Sequence, residues 1–75
     1  MSAAYNIKKL RQYLCISQTK FAKAISVTTP TISAYENGRR QPSYNTVEKI
    51  IRLAKKHNFE LKFDDIRADG VKEKI

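Results

Sequence analysis

Residues 17–42, SQTKFAKAISVTTPTISAYENGRRQP, hold two short apolar-periodic runs with barely a turn between them, and they end on a glycine and two arginines. Ser17 suits an N-cap, with Phe21, Ala22 and Ile25 at helical spacing behind it. Ser26-Val27-Thr28 is too short to swing freely, and a second run follows over 30–36, burying Ile32 and the ring of Tyr35. Pro30 would break a helix interior, but in a first turn its missing N–H loses no partner. It also pushes Thr29 toward extended backbone, so a helix starts here. Asn37 and Gly38 both tolerate the left-handed conformation that stops a helix.

Working outward, Ile7, Leu10 and Leu14 predict an amphipathic helix over 5–15. Pro42-Ser43 opens a fourth, with Val47, Ile50, Ile51 and Ala54 inward, and His57-Asn58 closes it. After Asn58 the period changes to two: Phe59, Leu61 and Phe63 alternate with Glu60, Lys62 and Asp64, a strand signal with no other strand to pair with. The chain therefore divides into a helical domain over 1–58, a C-terminal strand or extended segment over 59–66, and a loose tail over 67–75. It carries no internal repeat.

Seventy-five residues allow one small core. With a single histidine, a lone Cys15 and scattered acids, the chain offers neither metal-ligand spacing nor a catalytic constellation. An enzyme is excluded, and no metal or cofactor is expected. Cys15 is expected to pack as a small hydrophobe. A lone cysteine, no secretory leader and no long apolar run point to the cytoplasm.

The net charge is +8, unevenly spread. Residues 1–56 carry eleven Lys and Arg against Glu36 and Glu48, whereas 57–75 carry four against five acids. A basic body suits a polyanion. The alternatives are a solvated surface kept for solubility, or a basic amphipathic helix over 47–56 that binds anionic membrane. That helix's apolar face is needed to cover the core, which argues against the membrane.

Ser17-Gln18, Phe21-Ala22, Ile25, Val27-Thr28, Ile32-Ser33, Tyr35-Glu36-Asn37-Gly38-Arg39-Arg40 and Pro42 together resemble the Cro/cI-type (lambda-repressor-like, XRE) helix-turn-helix family of phage and bacterial regulators. The likeness spans about residues 5–57. It implies an all-α fold of four to five helices, with any short C-terminal strand at a dimer interface. It also implies that Arg11 pairs with Glu36, fixing how two helices sit. The turn position usually held by glycine is Ser26, where a positive φ costs roughly 1 kcal/mol.

The resemblance implies a duplex-DNA operator as partner, with the third helix in the major groove. Base contacts fall to Gln18, Thr28, Thr29, Pro30, Thr31, Ser33 and Ala34. Thr28 serves equally as a cap, and Gln18 as a brace. Relatives often carry base-reading glutamines at the positions of Pro30 and Ala34, so no relative's operator sequence is transferred. Hydroxyls and thymine-facing methyls dominate this surface. Phosphate contacts fall to Ser17, Lys20, Asn37, Gly38, Arg39, Arg40 and Tyr44.

Function is expected to be transcriptional regulation, as a phage or prophage repressor or an autoregulating antitoxin. In the antitoxin case a cognate toxin is a second partner. A restriction-modification controller is the alternative. A homodimer is expected to read a palindromic operator, clasped by Phe59, Leu61 and Phe63 as an intermolecular strand. The other reading of those three residues is a short fifth helix or extended cover over their own core. On the clasp reading, a chain cut after Asn58 still folds.

Overall fold

The computed structural model describes residues 3–67 as five helices: α1 (Ala3–Leu14), α2 (Gln18–Ala24), α3 (Thr29–Glu36), α4 (Tyr44–Lys56) and α5 (Phe63–Ile66). α1 to α4 fall where the apolar periodicity places them. Hydroxyl caps start three of them. Ser17 accepts the N–H of Lys20 (3.1 Å), Thr28 that of Thr31 (3.4 Å) and Ser43 that of Thr46 (3.3 Å).

The first four helices stop in one way. Cys15, Ser26, Gly38 and Asn58 take φ of 57°, 60°, 76° and 60°, the left-handed turn that ends a helix. In each case the next N–H reaches back to a carbonyl of the last helical turn: Ile16 to Arg11, Val27 to Ala22, Arg39 to Ala34 and Phe59 to Ala54. Three of those next residues, Ile16, Val27 and Phe59, are apolar and fold back on the core. The exception is Arg39, which is exposed. Cys15 is therefore a helix stop and is itself exposed, not the packed hydrophobe expected.

Ile7 and Leu10 of α1, Phe21 and Ala22 of α2, Ile32 and Tyr35 of α3, and Val47, Ile50 and Ala54 of α4 meet in one core with Ile25. α3 packs on α2 and α1, while α5 packs on α1 and α4. Ala22 is 2% exposed where α2 meets its neighbours, so no larger side chain fits there without displacing them.

The C-terminal segment departs from the strand expected over 59–66. Residues 59–62 form neither helix nor strand ladder among the described residues, and a single helical turn, α5, follows. Phe59, Leu61 and Phe63 pack partly buried on this chain's own core. The ring of Phe59 lies 4.9 Å from that of Tyr13, and Phe63 meets Tyr44 edge-on at 5.1 Å. Asp65 starts α5 by accepting the N–H of Lys62 (2.9 Å), an acid placed where the helix dipole favours it. Ile66 is fully buried, at 0% exposure. Arg67, expected to begin the loose tail, donates from Nη1 to the Pro42 carbonyl (2.8 Å). The rest of that tail lies outside the described residues.

Cutting after Asn58 thus removes a core residue and the cover around it, and the shortened chain is not expected to fold. A finer test is Ile66→Ala, which should destabilise the fold by about 3 kcal/mol through lost burial and a cavity. Urea unfolding followed by circular dichroism measures this. A loss under about 1 kcal/mol would show that α5 is peripheral.

Candidate nucleic-acid interface

Three helices are held in register by one carboxylate. Arg11 Nε on α1 donates to Glu36 Oε2 on α3 at 2.7 Å, and Arg11 Nη2 donates to Oε1 at 3.2 Å. Gln18 Nε2 at the head of α2 donates to the same Oε1 at 3.1 Å. Arg11 Nη1 also holds the Ile16 carbonyl at 3.1 Å, which fixes the link between α1 and α2. The Glu36 side chain is only 4% exposed and that of Arg11 17%, so solvent screens the pair weakly. The hydrogen bond to Glu36 is the main reason the Arg11 pKa lies above its ordinary value; burial opposes it and the charge of Glu36 adds to it.

This network locates Gln18. Its amide N–H is directed inward to Glu36, so Gln18 links α2 to α3. Thr28 is likewise occupied as the α3 cap, and its hydroxyl lies 2.8 Å from that of Thr31. Thr29 Oγ1 donates to Thr19 Oγ1 at 3.2 Å, joining the two helices across their turn. Sequence reading passed over Thr19. The available signal was its place next to Ala22 on the flank of α2 that must face α3.

Pro30 is exposed at the α3 start, and Thr29, Thr31, Ser33 and Ala34 are half-buried along that helix. Together they form a surface of hydroxyls and small apolar groups. Asn37 Nδ2 donates to Ser33 Oγ at 3.4 Å at the other end of the helix.

At that end the N–H of Gly38 goes to Tyr35 (3.1 Å), and those of Arg39 and Arg40 go to Ala34 (2.9 and 3.4 Å). These amides close the helix. Gly38 supplies the positive φ that turns the chain, and the side chains of Arg39 and Arg40 stand in solvent beside α3.

Three other candidates, Tyr44, Ser17 and Lys20, are placed as follows. Tyr44 has its ring between Phe63 and the Arg67 guanidinium, 5.2 Å away, and so forms part of the α4–α5 packing. Ser17 is engaged as the α2 cap, and exposed Lys20 lines an open concavity with Leu14, Lys23 and Leu53. Among the described residues no group of His, Cys, Asp and Glu is placed to hold a metal ion, and no helix is long and apolar enough to cross a membrane.

Two helices locked across a four-residue turn, the second displaying a small polar surface with arginines at its exit, define a helix-turn-helix DNA-binding domain. The chain belongs to the helix-turn-helix family of Cro/cI type, whose pattern matches residues 7–57. It is also 38% identical over 48 residues, 64% of its length, to YqaE of Bacillus subtilis (strain 168), named as an uncharacterised HTH-type transcriptional regulator. That match covers 41% of the relative. No solved structure matches the chain.

Proposed function

We propose that this protein is a sequence-specific transcriptional repressor that binds a near-palindromic operator as a homodimer, of the phage or prophage type or as an antitoxin that regulates its own operon. The observation that carries this reading is Arg39. At the other three long-helix ends the residue after the left-handed turn is apolar and packs inward; here it is a solvated arginine followed by another. A chain that gives up a packing contact at this one stop needs a cation there, and a phosphate beside the recognition helix is its natural ligand.

α3 then enters the major groove. Pro30 and the threonine methyls face thymine methyls, with Ser33 and Thr31 supplying hydroxyls. A single α3 covers one half-site, so two copies with recognition helices about 34 Å apart read the full operator. The outer edges of Phe59, Leu61 and Phe63, left by their partial burial, are the surface for the second copy.

The experiment is selection of bound duplexes from a random pool, followed by anisotropy titration of the selected sequence. Inverted half-sites one helical turn apart are expected, with two chains per duplex by sedimentation. Arg40→Ala should weaken all duplexes about equally, whereas Thr29→Ala should change which base is preferred. Recovery of no common sequence, or a base change from Arg40→Ala at unchanged overall affinity, would overturn the assignment.

A further inference from the structure

A second charged surface lies on the other side of α2 from α3. Its floor is apolar: Leu14, Ile16, Ala24 and Leu53 line an open groove between α2 and the C-terminal half of α4. Its rim is cationic, with Lys20 and Lys23 from α2 facing Lys49, Arg52, Lys55 and Lys56 from α4. No Asp or Glu lines it, and among the described residues none of these six cations is in an ion pair. Thr19, next to Lys23 on α2, bonds Thr29 of α3, and the groove lining itself includes no side chain of α3.

We propose that this groove docks an acidic amphipathic helix of a partner protein. The combination of floor and rim selects the occupant. A phosphate backbone would satisfy the rim but has nothing to cover the floor. A membrane needs apolar groups that protrude, whereas Leu14, Ile16 and Leu53 are half-buried and line a concavity together with Lys20 and Lys23. A second copy related by a two-fold axis would set six cations against six. A helix with an apolar stripe and Asp or Glu on both sides meets floor and rim together. The α4 wall from Lys49 to His57 is about 12 Å long, matching about two turns of such a helix.

The test uses the full ¹⁵N-labelled chain and a synthetic helix-stabilised peptide carrying Leu at i, i+4 and i+7 with Glu between. A scrambled peptide of the same composition serves as control. Amide shifts confined to residues 14–24 and 49–57 are expected, with the scramble at least tenfold weaker. Lys23→Glu with Lys55→Glu should reduce affinity at least tenfold, while Lys23→Arg with Lys55→Arg should keep it; both positions are exposed, so the changes leave the core intact. The peptide should also bind the chain already saturated with its selected duplex.

Equal binding of the scramble, shifts centred on residues 28–40, or displacement of the peptide by duplex would overturn the proposal. So would phosphatidylglycerol vesicles shifting the groove residues when the peptide does not. Concentration-dependent self-association mapped to the groove would give the site to a second copy instead.

Discussion

Arg11→Ala is expected to destabilise the fold by about 3 kcal/mol, the low end for stranding one member of a buried ion pair. The remaining Gln18 donor keeps the loss at that end by leaving Glu36 partly satisfied. A domain of this size has about 4 to 11 kcal/mol in total, so the variant should be marginal at 37 °C. Removing the stranded charge with Glu36→Gln should recover part of the loss, because the cost lies in burying an unpaired carboxylate. Urea unfolding of both single variants and the double variant measures the coupling. Additive effects would show that the pair contributes independently of its geometry. The Arg11 pKa is raised in the folded state, so its stabilisation is fully present below the unfolded arginine value and fades only as pH rises through the folded one. Between pH 5 and 9 (~), the arginine side of this pair should therefore give no pH slope.

The second large effect is on binding. If a dimer neutralises about six phosphates, operator affinity should fall roughly a thousandfold between about 50 and 200 mM salt, as counterions no longer gain entropy on release. Arg39 and Arg40 stand exposed at the exit of α3, and the first 56 residues carry all the excess positive charge, the remainder being slightly acidic. Arg40→Ala removes one contact per protomer, so the slope of log affinity against log salt should shrink by about 2 per dimer. Fluorescence anisotropy across a salt series gives the slope directly. A flat series would mean that binding, if present, does not run through phosphates.

The helical frame was legible in the sequence because two signals coincide at each helix. The 3.6 period of Ile7, Leu10, Phe21, Ile32, Val47 and Ile50 marks one buried stripe, and Ser17, Thr28 and Ser43 mark the starts. The Arg11–Glu36 pair came from the family resemblance, since spacing alone cannot join residues 25 apart. The C-terminal segment misled for a physical reason. Alternation in Phe59, Leu61 and Phe63 reports extended backbone with one side buried, and a segment laid across the end of a helical core meets that condition without any ladder. Ile66 gave no periodic signal, since α5 has one turn and a single buried residue. In the interface the residue types were readable but their partners were not. Nothing in Gln18 or Tyr44 distinguishes an amide or a ring offered to DNA from one already engaged by Glu36 or Phe63.

The seating of α5 bears on how the chain acquires its structure during synthesis. Asn6 Nδ2 on the first helix donates to the carbonyl of Asp65 at 2.7 Å, and Ile66 fills the core between α1 and α4. While the ribosome still holds the segment after Asn58, the emerged helices have an open socket where Ile66 belongs, and they gain little by closing around it. Stable closure of the core is therefore expected only once residue 66 has emerged, and a nascent chain stalled before it should be sensitive to protease.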